Sequence, residues 1–125
     1  MIRAIPALEG PPVRAGIVRR SQSRKQLRLL STMPIGVLTL ELHLPHAHSL
    51  KEKRMVVRSI KDRLRARFNV AVAELEHQDL WQRALLGVVS ISNDRKSLET
   101  LFDAIERESE NMLGGDLVGA QLEFF

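Results

Sequence analysis

A chain of 125 residues with 44% hydrophobic residues is sized for one domain and can bury a real core. The absence of cysteine excludes disulfides, a thiol nucleophile and thiolate metal sites, and makes a reducing cytoplasm the simplest compartment. No apolar run reaches the roughly 18 residues of a membrane span, and nothing near the N-terminus matches the unbroken apolar stretch of a secretory signal. The sequence therefore reads as soluble and cytoplasmic, with no membrane partner.

The net charge of +4 is divided unevenly. Residues 1–32 carry seven basic residues (Arg3, Arg14, Arg19, Arg20, Arg24, Lys25 and Arg28) against Glu9 alone, a net of +6. Residues 33–125 hold the other 12 basic and 14 acidic residues, a net of −2. The first segment has Pro6, Pro11 and Pro12 and no sustained apolar period, so it is expected to be disordered or weakly helical. Met33 directly precedes the first clean strand pattern. One reading starts translation there; the others are a nucleic-acid-binding arm or an organelle-targeting segment.

From Ile35 the apolar residues alternate, with Leu38, Leu40, Leu42 and Leu44 on one face and Thr39, Glu41 and His43 on the other, which predicts a half-buried strand. Pro45 to His48 breaks it. Ser49 followed by Glu52 predicts a capping box, and the helix it opens runs to about Phe68 with Leu50, Val57, Ile60, Leu64 and Phe68 on its apolar side. Val70 to Glu76 alternates again as a second strand. After the connection His77 to Gln82, Arg83 to Ser92 is a third, rich in Leu, Val and Ile. Asn93 or Asp94 is positioned to cap a second helix with Leu98, Leu101, Phe102, Ile105 and Met112 buried, and Gly114 and Gly115 are expected to end it in the left-handed conformation. Leu117 to Phe125 closes the chain as a fourth strand with Val118, Ala120, Leu122 and Phe124 on one face.

The order β-α-β-β-α-β with right-handed crossovers predicts a ferredoxin-like α/β sandwich. It has a four-stranded antiparallel sheet, order 4-1-3-2, with both helices on one face. Residues 33–125 form that single domain.

At 100° per residue, Arg54, Arg58, Lys61 and Arg65 fall within about 60° of one another, a basic ridge roughly a quarter turn from the buried stripe. Glu99, Asp103, Glu106 and Glu110 repeat the spacing on the second helix as an acidic ridge. Both are displaced in the same sense on antiparallel helices, so both are expected on the outer flanks rather than facing each other. The plain reading of each is a solvated face. The functional one is that Arg54, Arg58, Lys61 and Arg65, with Lys51 nearby, dock on phosphates or on an acidic partner, having no local counter-charge.

Other chemistry is weakly signalled. His43, His46 and His48 bracket Pro45 too loosely to predict a metal site. His77 and Asp79 resemble an acid–base pair without a nucleophile, and Trp81 is expected to anchor their loop by packing. No glycine-rich phosphate cradle follows a strand, so no cofactor is expected. The central strands lack the aromatics on which RNA-recognition motifs stack bases, and the helix-free face should carry Glu41 and Glu123. RNA, if bound, would meet the first helix or the extension.

The runs Ile35-Gly36-Val37-Leu38, Ser49-Leu50-Lys51-Glu52-Lys53-Arg54, Phe68-Asn69-Val70, His77-Gln78-Asp79-Leu80-Trp81-Gln82 and Ser92-Asn93-Asp94 together resemble the bacterial YlxP-like family of unknown function. The resemblance covers nearly all of residues 33–125 and none of the extension. It implies a ferredoxin-like fold, small bacterial cytoplasmic proteins and genes beside translation-initiation and small-subunit maturation factors; it implies no catalytic residues. The expectation is a non-enzymatic binding module whose partners are ribosomal RNA or ribosome-maturation proteins. The alternatives are a small self-associating regulatory domain, a homo-oligomer, or an enzyme using His77 and Asp79.

Overall fold

The computed structural model describes residues 34–125, and the basic extension lies outside them. Six main elements follow one another: β1 (Ile35–His43), α1 (Leu50–Arg67), β2 (Ala71–Glu76), β3 (Arg83–Ile91), α2 (Arg95–Leu113) and β4 (Leu117–Phe124), with a single 3-10 turn over Gly114–Asp116. Every strand pairing is antiparallel, in the order β2-β3-β1-β4. This is the ferredoxin-like sandwich that the alternation and the crossovers predict.

The period-two pattern of β1 does what it implies: Leu38, Leu40 and Leu42 are fully buried, opposite Val88, Leu86 and Ala84 of β3. Onto this layer the helices set Val57, Ile60 and Leu64 of α1 and Leu98, Phe102 and Ile105 of α2. Each such side chain contributes about 1.5–3 kcal/mol through burial. Gly36 lies directly under the Phe102 ring, where an added Cβ would come within 2.5 Å of Cε2. A side chain there would displace the largest apolar group of the core.

The helix ends follow their caps with two departures. Ser49 Oγ accepts from the Glu52 amide at 3.1 Å, but the Glu52 carboxylate accepts from the His48 amide at 2.8 Å rather than from that of Ser49. α2 is capped by Asp94, whose carboxylate accepts from the Ser97 hydroxyl at 2.6 Å and the Ser97 amide at 3.2 Å. Gly114 ends α2 with φ 55° and ψ −128°, a glycine-type conformation outside the left-handed helical region expected.

Both edge strands carry a bulge, which the alternation pattern does not reveal. In β4 the register passes from Gly119 opposite Glu41 to Leu117 opposite Leu42, so Val118 is the extra residue. It is pushed out to 56% exposure instead of joining Leu122 and Phe124 against the core, and Ala120 is exposed as well. In β2 the shift falls between Glu74 and Glu76, leaving Leu75 exposed. Glu41 and Glu123 do lie on the helix-free face, in register with Gly119 and Val37. The rest of that face is largely apolar, including Val37, Val89 and Ile91.

Phe102→Ala should cost about 3–5 kcal/mol, read as a lower urea midpoint at unchanged slope. The bonds from the Ser97 hydroxyl and amide hold the Asp94 carboxyl below its ordinary value. A folded pKa lower than the unfolded one adds stability above the ordinary carboxylate range, and this is lost as pH falls through the folded value. Asp94→Ala should therefore lower the thermal midpoint at neutral pH and converge with wild type in acid.

Candidate functional site

At one end of the sheet the β1–α1 connection meets the β2–β3 loop. The Leu44 amide donates to the Gln82 carbonyl at 2.8 Å, and the Gln82 side-chain amide donates to the carbonyls of Pro45 at 3.1 Å and Ala47 at 3.4 Å. The Leu80 amide closes a turn on the His77 carbonyl at 3.0 Å. His77 itself stands at φ 69°, the one non-glycine residue with positive φ among those described.

Beneath this loop lies a group that the apolar stripes of the sequence pass over. Lys53 is 0% exposed, and its ammonium lies 2.6 Å from Glu74 Oε2 while donating to the His77 carbonyl. Glu74 Oε2 is in ion contact with the ammonium but not in hydrogen-bond alignment with it, and it has no other donor. The sequence does carry a signal: position 53 falls three residues after Leu50 and four before Val57, a slot of the buried face that a lysine occupies only when something inside holds its charge. Glu108 is the same case on α2, three residues after Ile105 and four before Met112. It is buried in the seam, where Arg63 Nε reaches it at 2.8 Å and Arg67 at 2.6 Å.

These two pairs sort the cations of α1. Met55, Val56, Ser59, Ile60 and Arg63 line a groove with Met112 and Leu113, so this side of α1 is the one that faces α2. Arg54, Arg58, Lys61 and Arg65 lie on the other side of the helix and make no bond to α2. Arg54 and Arg58 are exposed and Lys61 is half-buried; among the described residues no carboxylate lies within ion-pair distance of these three or of Lys51. Arg65 differs from expectation, because Asp62, one turn back, holds it at 3.1 Å. Both partners are exposed, so the pair is weak, but the ridge does have this one local counter-charge. On the acidic side Glu99 is held by Arg95 at 3.3 Å, and the Arg95 guanidinium lies 3.9 Å from the centre of the Phe124 ring. Glu99, Asp103 and Glu110 are exposed and Glu106 is half-buried.

Trp81 corrects the packing expectation. It is 51% exposed and leaves the core to others, because Gln82 and Lys53 already hold the loop. It lines an open cleft of about 560 Å³ with His43, Asp79, Leu80, Gln82 and Arg83. His77 and Asp79 share no hydrogen bond; what His77 supplies to the loop is its carbonyl. Among the described residues no three His, Asp or Glu side chains converge to hold a metal, and no helix is long and apolar enough to cross a membrane.

Lys53→Met leaves Glu74 and the His77 carbonyl facing a thioether, and should cost about 3–5 kcal/mol in a denaturant titration. Adding Glu74→Leu removes the stranded charge and should recover most of that loss.

Two comparisons place the chain among known proteins. The family described as "Protein of unknown function (DUF503)" matches residues 35–121, which contain all of α1 and the loop with its cleft. Over 65 residues the chain is 40% identical to a Bacillus subtilis (strain 168) protein named "Uncharacterized protein YlxP", a stretch covering 52% of this chain and 71% of that one. With a family match over residues 35–121 and this relative beside it, the chain belongs to the DUF503, YlxP-like family.

Proposed function

We propose that this domain is a non-enzymatic binding module that docks on the phosphate backbone of RNA through the outer flank of α1, with ribosomal RNA or a ribosome-maturation complex as the partner. The observation that carries the reading is the division of the α1 cations. Arg63 and Arg67 share the buried Glu108 carboxylate in the seam, whereas among the described residues Lys51, Arg54, Arg58 and Lys61 have no carboxylate within ion-pair distance. A row of guanidinium and ammonium groups on a rigid helix matches phosphate oxygens, which accept charge-assisted hydrogen bonds from both. Such contacts release counterions, so affinity must fall steeply with salt.

A second reading has one observation of its own. Ile91 is 54% exposed on the helix-free face and Phe125 at the chain end is 70% exposed, the kind of apolar surface that a second copy can cover. Association of that sort is insensitive to salt, which separates it from phosphate docking. Joining of copies through their edges is disfavoured, because β2 and β4 both carry bulges that interrupt a pairing edge.

The test is co-sedimentation with ribosomal subunits across a salt series, comparing wild type with a variant carrying Arg54→Glu, Arg58→Glu, Lys61→Glu and Arg65→Glu. Wild type should pellet at low salt and be released as salt rises. The variant should stay in the supernatant, and any residual binding should show a slope of log affinity against log salt shallower by about 3. Equal behaviour of the two proteins refutes the ridge reading. Light scattering at two ionic strengths reads the alternative, as a dimer that persists in salt.

A further inference from the structure

The cleft beside the β2–β3 loop has no part in phosphate docking, yet it is a recess with a hydrogen-bonded frame. Its walls are held by bonds already described: Lys53 to the His77 carbonyl, Leu80 to the same carbonyl, and Gln82 to the β1–α1 connection. An indole held half in water on such a support is pre-organised, so a ligand covering it orders little further. Around that indole stand groups of opposite hydrogen-bonding character. Arg83 gives one nitrogen to Glu41 at 3.1 Å and keeps its other donors at a side chain 51% exposed. Asp79 has an exposed carboxylate with no hydrogen-bond or ion partner among the described residues. His43 closes the rim from β1.

This composition selects among ligands. An aliphatic side chain of a protein partner would cover the indole but bury the Asp79 carboxylate and the Arg83 guanidinium without hydrogen-bonding partners, which is costly. A planar heterocycle bearing both donors and acceptors on its edge satisfies all three groups at once. It stacks on the indole, accepts from Arg83 and donates to Asp79. The volume of about 560 Å³ lies within the range of small-ligand clefts. We propose that this cleft binds an unpaired nucleobase stacked on Trp81, carried by single-stranded RNA or by a free nucleotide. The base site stands independently of the phosphate ridge, since neither contact requires the other.

Trp81 is the only tryptophan and the chain has no tyrosine, so red-edge-excited emission reports on this site alone. The full chain is titrated with a single-stranded adenylate hexamer, with adenosine monophosphate, and with an abasic hexamer of the same backbone. The expected result is saturable quenching by the adenylate hexamer and none by the abasic strand. Quenching by the monophosphate as well assigns the site to the base alone, whereas its absence assigns it to a base within a strand. Trp81→Leu should weaken binding of a labelled hexamer by about 5- to 150-fold in anisotropy, the effect of one lost stacking contact, while Trp81→Phe retains most of it. Absence of quenching by both adenylate ligands, equal quenching by the abasic strand, or a Trp81→Leu variant that binds like wild type overturns the proposal. So does an emission maximum of the free protein that shifts to the blue with concentration, which means that a second copy covers the cleft. The four-residue ridge variant distinguishes the two failures: it should lose ribosomal pelleting yet keep its Trp81 response to whichever adenylate ligand quenches wild type.

Discussion

Lys53 is the constraint on which one whole end of the domain depends. An ammonium removed from water is tolerated only where charge and hydrogen bonds replace its hydration, and here Glu74 and the His77 carbonyl do so. Each partner then becomes fixed in its turn. Glu74 must face inward, opposite Leu86, so alternation places Leu75 on the outer face, and the β2 register shifts only after Glu74. His77 must aim its carbonyl down at the helix, which its positive φ accomplishes at a backbone cost of order 1 kcal/mol. The loop that follows has its direction set by these two residues. A lysine at the first turns of α1 thereby decides where Asp79 and Trp81 stand, although it touches neither.

Glu108 plays the corresponding part at the helix seam. α1 carries eight basic residues from Lys51 to Arg67, which would repel one another along a single helix if left unsorted. Burying one carboxylate between Arg63 and Arg67 joins the helices and offsets part of their charge in the seam. Lys53 is consumed within, Arg65 is held loosely by Asp62, and the outer flank keeps the remainder. The flank is basic because the fold has assigned every other cation of the helix a carboxylate. Charge sorting of this kind links stability to surface chemistry, since the pairs that hold the fold also define what is left for a partner.

The strands, the helices and their order were legible because each rests on a period: two for Leu38, Leu40 and Leu42, and 3.6 for Val57, Ile60 and Leu64. What was not legible is what breaks a period. One extra residue in β4 exchanges the faces of Val118 and Leu117, and nothing in a run of apolar residues marks where the insertion falls. Lys53 and Glu108 were legible in principle, as charges standing in slots of an apolar stripe, but they were passed over because a stripe is read from its apolar members. Of the candidate site, the ridge could be drawn from helical spacing alone. The exposure of Trp81 could not, since a large aromatic in a loop ordinarily packs. Only the bonds of Gln82 and Lys53, between residues 24 to 37 apart in sequence, show that the loop stands without it.

The surfaces left available follow from the same geometry. Both edges of the sheet are interrupted by bulges, and a bulged edge offers poor ladder geometry to another strand. The helix-free face is apolar at Val37, Val89 and Ile91, yet its two central strands bear no aromatic side chain, so it lacks the platform on which sheet-based RNA binders stack bases. The phosphate and base contacts we propose therefore fall on elements whose side chains are fixed for other reasons. The flank of α1 is held by the core and the seam, and the loop bearing Trp81 is held by a buried ammonium. Rigid support beneath exposed Arg and Trp lowers the entropic cost of engaging them, and that makes these two surfaces better suited to binding than the broader apolar face behind them.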